Sequence, residues 1–182
     1  MNRTFAALLT GFSALAFASQ ASAVEMVYNP YVGINYNYSD ARAKGVSPYY
    51  NSASFNIGTS YNRYFGTEMF YQYTDSYTKK SQSKLSSDFQ AYGLDLMAYM
   101  PVGCYERVNL IGTVGLGEYH FNNEVGHANN EDSGLGYRAG LGVQYDIDNN
   151  WTVRSVARYV GLDGVKDFDH MMEYSLGLKY NF

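Results

Sequence analysis

Seven charged residues stand at alternate positions of segments that otherwise alternate between large apolar and small polar side chains. They are Glu68, Asp95, Arg138, Arg154, Arg158, Glu173 and Lys179. If these segments form walls around one narrow interior, acids and bases must pair there, because an unpaired buried charge is strongly penalised. The chemistry expected of this lumen charge network is ion pairing, either as a structural plug or as a gate for a small ion path.

Histidines are the next candidates for chemistry. His120 and His127 fall in a predicted long connection, and His170 begins the last segment. No serine stands near them in an arrangement typical of nucleophilic catalysis. Glu124 and Glu131 could join His120 and His127 around a metal, but a polar loop commonly carries such residues for solubility. We therefore predict no catalytic residues, no metal and no cofactor.

The element that must position the charges is clearest at residues 169–182, where large apolar or aromatic side chains occupy every second position. Successive side chains of an extended strand point to opposite faces. Leu176, Leu178 and Tyr180 thus share one face, and Glu173 and Lys179 share the other. An apolar face opposite a small and charged face is typical of a strand between lipid and a polar lumen.

Similar alternation occurs about eight times, and the fifth segment is the least regular because Ile111 and Gly112 break the pattern. Short connections near 62–66, 101–106 and 146–150 alternate with longer ones near 39–52, 75–87, 118–133 and 161–168. The sequence therefore predicts an all-β fold, an eight-stranded antiparallel up-and-down transmembrane barrel with short periplasmic turns and four longer extracellular loops.

The N-terminus predicts export. Arg3 precedes a short apolar run from Phe5 to Ala18, and Ala21-Ser22-Ala23 is a small-residue cleavage site. We predict a cleaved signal peptide at 1–23 and a barrel domain at 24–182. The chain has 20 Tyr, 18 Gly, only 3 Pro and a net charge of −4. Tyr is favoured in strands and at membrane interfaces, whereas a mildly negative chain gives a nucleic-acid partner no electrostatic support.

A secreted soluble barrel would show the same alternation with its faces reversed. Its exterior would carry many solvated charges, and its interior bulky apolar groups. Here the polar face consists mainly of Gly, Asn and Ser with isolated charges, which suits a narrow eight-stranded lumen. The apolar face is therefore expected to contact lipid.

Five short stretches support a resemblance to a known family. They are Phe65-Gly66-Thr67-Glu68-Met69-Phe70-Tyr71, Gly115-Leu116-Gly117, Gly134-Leu135-Gly136-Tyr137-Arg138-Ala139-Gly140, Asn150-Trp151-Thr152-Val153-Arg154 and the Tyr180-Asn181-Phe182 ending. With the strand count and length, the chain resembles the OmpA/OmpX-like small outer-membrane barrels, which include opacity-type surface proteins. The resemblance implies a monomer in the outer membrane of a Gram-negative bacterium. It also implies that the assembly machinery reads Tyr180 and Phe182.

The long connections are the expected functional surface, since binding residues commonly lie on loops held by a rigid scaffold. The candidate surface contacts are Lys79, Lys80, Lys84, Glu124, Glu131 and Asp132. The lysines could meet lipopolysaccharide phosphates or acidic host glycans, although solvation of the loops explains the same charges. Cys104, the only cysteine, is either an incidental thiol or an intermolecular partner.

These observations predict a non-enzymatic barrel that supports membrane integrity and presents loops for adhesion to a host or to lipids. Two alternatives stay open: a narrow ion-conducting pore and a barrel enzyme that modifies lipid A.

Overall fold

The computed structural model describes residues 28–43, 49–74, 85–103, 107–125, 128–163 and 168–182. Eight strands follow in chain order: β1 (Asn29–Ala43), β2 (Tyr49–Ser60), β3 (Phe65–Thr74), β4 (Leu85–Val102), β5 (Val108–Val125), β6 (Ala128–Asp146), β7 (Trp151–Asp163) and β8 (Phe168–Asn181). Each strand pairs with its chain neighbours, and β8 pairs antiparallel with β1 to close the barrel. The predicted eight-stranded antiparallel fold is confirmed.

No helix among the described residues has the length and hydropathy needed to cross a membrane.

The two faces of the wall differ as predicted. Ile34 and Leu141 on the outer face are 61% and 76% exposed, whereas charged groups such as Glu68 and Arg158 are buried on the inner face. In a closed barrel the backbone N–H and C=O groups of these strands are hydrogen-bonded to neighbouring strands. The apolar side chains point outward, as a lipid environment requires.

The alternation of β5 is unbroken, contrary to the sequence prediction. Ile111 points inward and is 1% exposed, beside buried Met97, Tyr99 and Val156. Gly112 lies on the outer face opposite Ala98. The pattern looked broken because a large apolar residue occupies an inward position and a glycine an outward one. The lumen accepts Ile111 because an apolar cluster surrounds it there.

The strands extend further than predicted at the end opposite the short turns, which we call the loop end. The predicted 118–133 loop is wrong: β5 and β6 remain paired up to Val125 and Ala128. Glu124, Glu131 and Asp132 are therefore strand residues, and only 126–127 of this connection lie outside the described residues. The physical reason is that backbone pairing continues without any apolar alternation once a strand leaves lipid.

Side-chain oxygens organise two connections at the other end, the turn end. Asn62 Oδ1 accepts the amides of Tyr64 (2.7 Å) and Phe65 (2.8 Å). Asp148 Oδ1 accepts those of Asn150 (2.8 Å) and Trp151 (2.7 Å). These bonds lower the pKa of Asp148, because the amides of Trp151 and Asn150 stabilise its ionised form. Such turns hold the strand register from one end.

Candidate functional site in the barrel interior

All seven residues of the predicted charge network lie on the inner wall. Each is at most 4% exposed. Chain direction orders them along the barrel: Arg154 lies nearer the turn end of β7 than Arg158, and Lys179 lies nearer that end of β8 than Glu173. The interior therefore contains distinct charged regions at different depths.

The first region is an ion-pair clamp formed by Glu68, Arg154, Asn35 and Asn56. Arg154 donates two hydrogen bonds to Glu68, from Nη1 to Oε2 at 2.5 Å and from Nη2 to Oε1 at 2.9 Å. Asn56 Nδ2 also donates to Glu68 Oε1 at 2.8 Å, and Arg154 Nε donates to Asn35 Oδ1 at 3.1 Å. Asn35 donates in turn to Asn56 and Ser54. A bidentate pair with these additional bonds fixes β3 to β7 across the lumen.

The second region is a four-charge cluster of Asp95, Arg138, Arg158 and Glu173. Glu173 Oε1 lies 3.4 Å from Arg138 Nη2 and 3.2 Å from Arg158 Nη1. Asp95 lies 3.3 Å from Arg138 Nε and 4.0 Å from Arg158 Nε. Within the described part of the chain, neither Asp95 oxygen accepts a hydrogen bond. The cluster is balanced in charge but incompletely hydrogen-bonded.

Gln72 connects this cluster to the surrounding wall. Its Nε2 donates to Glu173 Oε2 and to Ser52 Oγ, both at 2.8 Å. Arg158 Nη1 also donates to Ser175 Oγ at 3.0 Å. The Glu173 side of the cluster therefore has neutral partners that the Asp95 side lacks.

Toward the loop end the lumen is filled by an apolar plug. Its members are Tyr50, Phe70, Phe89, Ala91, Tyr119, Val160, Leu162 and Met171, each at most 8% exposed. Phe89 contacts the Tyr50 ring edge-on, with centroids 5.5 Å apart, and the Tyr119 ring at 6.2 Å. Arg138 lies over the Phe70 ring at 3.8 Å from the centroid, so the plug rests directly on the four-charge cluster.

Glycines make room for the plug. Phe70 is opposite Gly93 in the β3–β4 register, and its ring covers Gly117 of β5 as well. A Cβ atom at either glycine would lie 2.8 Å from a ring carbon of Phe70. Nonbonded contacts of a Cβ atom are essentially never this short, so a side chain at either position would force the Phe70 ring to move.

Sequence reasoning missed the plug, although a signal for it was present. Tyr50, Tyr119 and Leu162 have the inward parity of their strands but were assigned to predicted loops. Extending the alternation beyond the membrane would have placed them inside. Of the plug residues, only Phe70 and Ala91 were predicted to face inward.

Lys179 lies apart from both charged regions. Its Nζ is 4.5 Å from the Tyr31 ring centroid and 5.8 Å from that of Tyr99. No carboxylate of the described residues lies within ion-pair distance of it. Lys179 thus forms no described ion pair with the other six charges of the network, although Arg154 and Glu68 lie near enough to act on it electrostatically.

The histidines lie on the outer wall where they are described. His120 belongs to β5 rather than to a loop, because the β5–β6 ladder continues past it. Its ring stacks on Tyr92 at 5.7 Å, and its Nε2 is 3.5 Å from Glu118. His170 stacks on Tyr159 at 5.5 Å. Across the described ranges, no three His, Cys, Asp or Glu residues converge as metal ligands.

Several predicted residues fall outside the described ranges. These are the predicted signal peptide at 1–23, Lys79, Lys80, Lys84, Cys104 and His127. The proposed assembly signal is described: Tyr180 contacts Trp151 (centroids 4.9 Å apart) and Phe182 (5.3 Å), and Phe182 is exposed. Its role in assembly stays a prediction.

Comparison with known proteins identifies the family. The model of the outer membrane protein β-barrel domain matches residues 4–182. The chain belongs to this family. As a member, it is a β-barrel of the bacterial outer membrane, which confirms the predicted fold class, location and resemblance. The short turns accordingly face the periplasm, and the loop end faces outward.

Solved structures share the fold. Neisserial surface protein A matches with a TM-score of 0.72 and 16% identity, covering 84% of this chain and 97% of that one. Ail of Yersinia pestis matches at 0.64 and 19%, covering 86% and 100%. The N-terminal barrel of Pseudomonas aeruginosa OprF matches at 0.58 and 16%, also covering 86% and 100%. No curated protein sequence matches the chain.

Proposed function

We propose that this outer membrane barrel is a closed, non-enzymatic scaffold that supports membrane integrity and presents its loop end for contact with the surroundings. The observation that carries the proposal is the apolar plug above the four-charge cluster. A water-filled path would have to cross these rings, each at most 8% exposed, and then a set of paired charges that is at most 4% exposed.

Planar-bilayer conductance tests the closed lumen. We expect no unitary current steps from the wild-type barrel. The narrow pore is the competing function, and the missing hydrogen bonds of Asp95 are the observation that favours it, since such a group could exchange partners. Steps in the wild type that Arg138→Ala or Glu68→Ala alters, and that an outward-face variant such as Leu141→Ala leaves unchanged, would establish the pore instead.

Contact at the loop end is the second part of the proposal. Ail has been solved in complex with the heparin analogue sucrose octasulfate, and that structure shares this fold at 19% identity. In this chain Lys79, Lys80 and Lys84 supply positive charge between β3 and β4. We propose that they bind sulfated or phosphorylated surface groups, with Glu124, Glu131 and Asp132 of the β5–β6 hairpin restricting the partner through repulsion.

Heparin binding by the full chain in lipid nanodiscs tests this contact. Replacing Lys79, Lys80 and Lys84 with Gln should weaken binding at least about tenfold, whereas replacing Glu124 and Glu131 with Gln and Asp132 with Asn should not weaken it. If wild type and the lysine variant bind equally, the lysines are not the contact. That result would leave the closed lumen untouched.

The proposed non-enzymatic role also has a direct test. Expression of the barrel should leave the mass spectrum of lipid A unchanged relative to an empty-vector control. A reproducible mass difference would support the lipid A-modifying alternative and contradict a non-enzymatic role.

A further inference from the structure

A cavity of about 1000 Å³ opens at the turn end of the lumen. Its wall includes Lys179 at the inner end and the cations Arg63 and Arg107 near the turns. The side-chain amides of Asn109, Gln144 and Asn181 also line it. This cavity lies on the periplasmic side of the ion-pair clamp, so it is separate from the plug and from the loop end.

Lys179 is the unusual member of this lining. It is 4% exposed, yet its ammonium rests against the faces of Tyr31 and Tyr99 rather than against a carboxylate. In contrast, Arg138, Arg154 and Arg158 each have an acidic partner within 4.0 Å. Buried cations are normally paired, because removal from water costs more than ring contacts return.

The two carboxylates of the cavity already have other partners. Asp146 accepts hydrogen bonds from Thr152 Oγ1 (2.6 Å) and from Asn109 Nδ2 (3.3 Å). Asp148 accepts the amides of its own turn. Neither forms an ion pair with Lys179 among the described contacts, and Asp146 acts on it only from a longer distance. The ammonium of Lys179 therefore faces the cavity without a carboxylate in direct contact.

We propose that the turn-end cavity is a phosphate-binding site, with Lys179 as its central ligand and Arg63 and Arg107 attracting the anion at the rim. A tetrahedral oxyanion carries enough acceptor positions for the ammonium and for neighbouring side-chain amides. It also supplies a negative charge in direct contact with the Lys179 ammonium, which the described contacts do not provide. Two sources share this chemistry: free periplasmic phosphate and the phosphate of an inner-leaflet phospholipid.

Titration of the full-length barrel with inorganic phosphate tests the site. The protein is placed in phosphatidylcholine nanodiscs at constant ionic strength, and backbone amide shifts of Asn109, Thr152 and Lys179 are followed by NMR. We expect saturable shifts in the wild type and in Lys179→Arg, and loss of saturation in Lys179→Met. Lys166→Met, which removes a lysine from the sequence between β7 and β8, is the matched control and should behave as wild type.

A heat-dependent gel shift first establishes that each variant is a folded barrel. If Lys179→Met does not fold, Lys179→Gln replaces it. The same titration in nanodiscs containing phosphatidylglycerol separates the sources. Amides already shifted and no longer responsive to phosphate identify the lipid headgroup, and an unchanged titration identifies free phosphate. No saturable response in either membrane, or a saturable response that survives in Lys179→Met, overturns the proposal.

Discussion

The ion-pair clamp and the four-charge cluster are adjacent in the lumen but differ in how completely their charges are satisfied. Glu68 of the clamp is directly opposite Asp95 of the cluster in the β3–β4 register. Glu68 receives three hydrogen bonds, whereas Asp95 receives none among the described contacts. Both carboxylates are fully buried, so burial alone does not explain the difference.

The difference teaches that charge balance and hydrogen-bond satisfaction are separate properties of a buried network. The clamp has both, since its ion pair is bidentate and flanked by two asparagines. The cluster has balanced charge, yet Asp95 is only close to Arg138 and Arg158 and accepts no aligned hydrogen bond from either of them. A buried carboxylate with aligned donors stabilises the fold more than one that lacks them, because unmade bonds leave its desolvation uncompensated.

Removal of the negative charge of the clamp should cause the largest loss of unfolding free energy. Glu68→Gln leaves Arg154 buried without a counter-charge and should lower the free energy of unfolding by about 3–5 kcal/mol. Urea unfolding in lipid vesicles, followed by gel mobility, measures this change.

A matched double variant sharpens the test of the clamp. Glu68→Met with Arg154→Met removes both charges, so its loss should be much smaller than that of Glu68→Gln alone. If the double variant is as unstable as the single one, the clamp contributes through packing rather than through its charges.

The second largest loss of unfolding free energy is expected when a side chain is added at the contact between the plug and the cluster. Gly117→Ala places a methyl group against the Phe70 ring and should cost about 1–3 kcal/mol in the same unfolding assay. Gly112→Ala is the control in the same strand, because a Cβ there meets only the Ala98 side chain, at 3.9 Å. Equal stabilities of the two variants would show that Phe70 can move without cost.

Neutralising the cluster should have a smaller effect than neutralising the clamp. Asp95→Asn removes a charge that accepts no hydrogen bond, and Glu173 still contacts both arginines. We expect a loss of about 1 kcal/mol. A loss as large as that of Glu68→Gln would contradict the comparison, because it would make the unbonded carboxylate as stabilising as the bonded one.

The smallest effect is expected at the turn end, outside both charged regions. The folded pKa of Asp148 is depressed below its ordinary value of 3.8, so its stabilising contribution is complete above that value. The contribution is lost as pH falls through the depressed folded pKa. Asp148→Ala should therefore be less stable than wild type near neutral pH, and this difference should vanish in strong acid. A pH-independent difference would mean that the carboxylate charge is irrelevant to the turn.

Much of the fold was predictable because a strand alternates with a period of two residues, which is a local property of the chain. The alternation along β1, β6 and β8 assigned lipid-facing and inward residues without any tertiary information. The same parity placed Glu68, Asp95, Arg138, Arg154, Arg158, Glu173 and Lys179 inside. It also indicated how many strands the barrel has.

Strand ends and partners were decided only by the tertiary structure. Apolar alternation on the outer face fades where β5 and β6 leave lipid, so their ladder beyond residue 118 was not predicted. Tyr50 and Tyr119 have inward parity, but only the observed strand ends place their rings in the lumen. Partner choice depends on the register of the closed wall, which joins Glu68 to Arg154 across 86 residues. The same register places Lys179 against a cavity rather than against an acidic partner. The sequence determined which charges enter the lumen, and barrel closure determined which of them meet, because parity is local whereas pairing depends on strand register and depth.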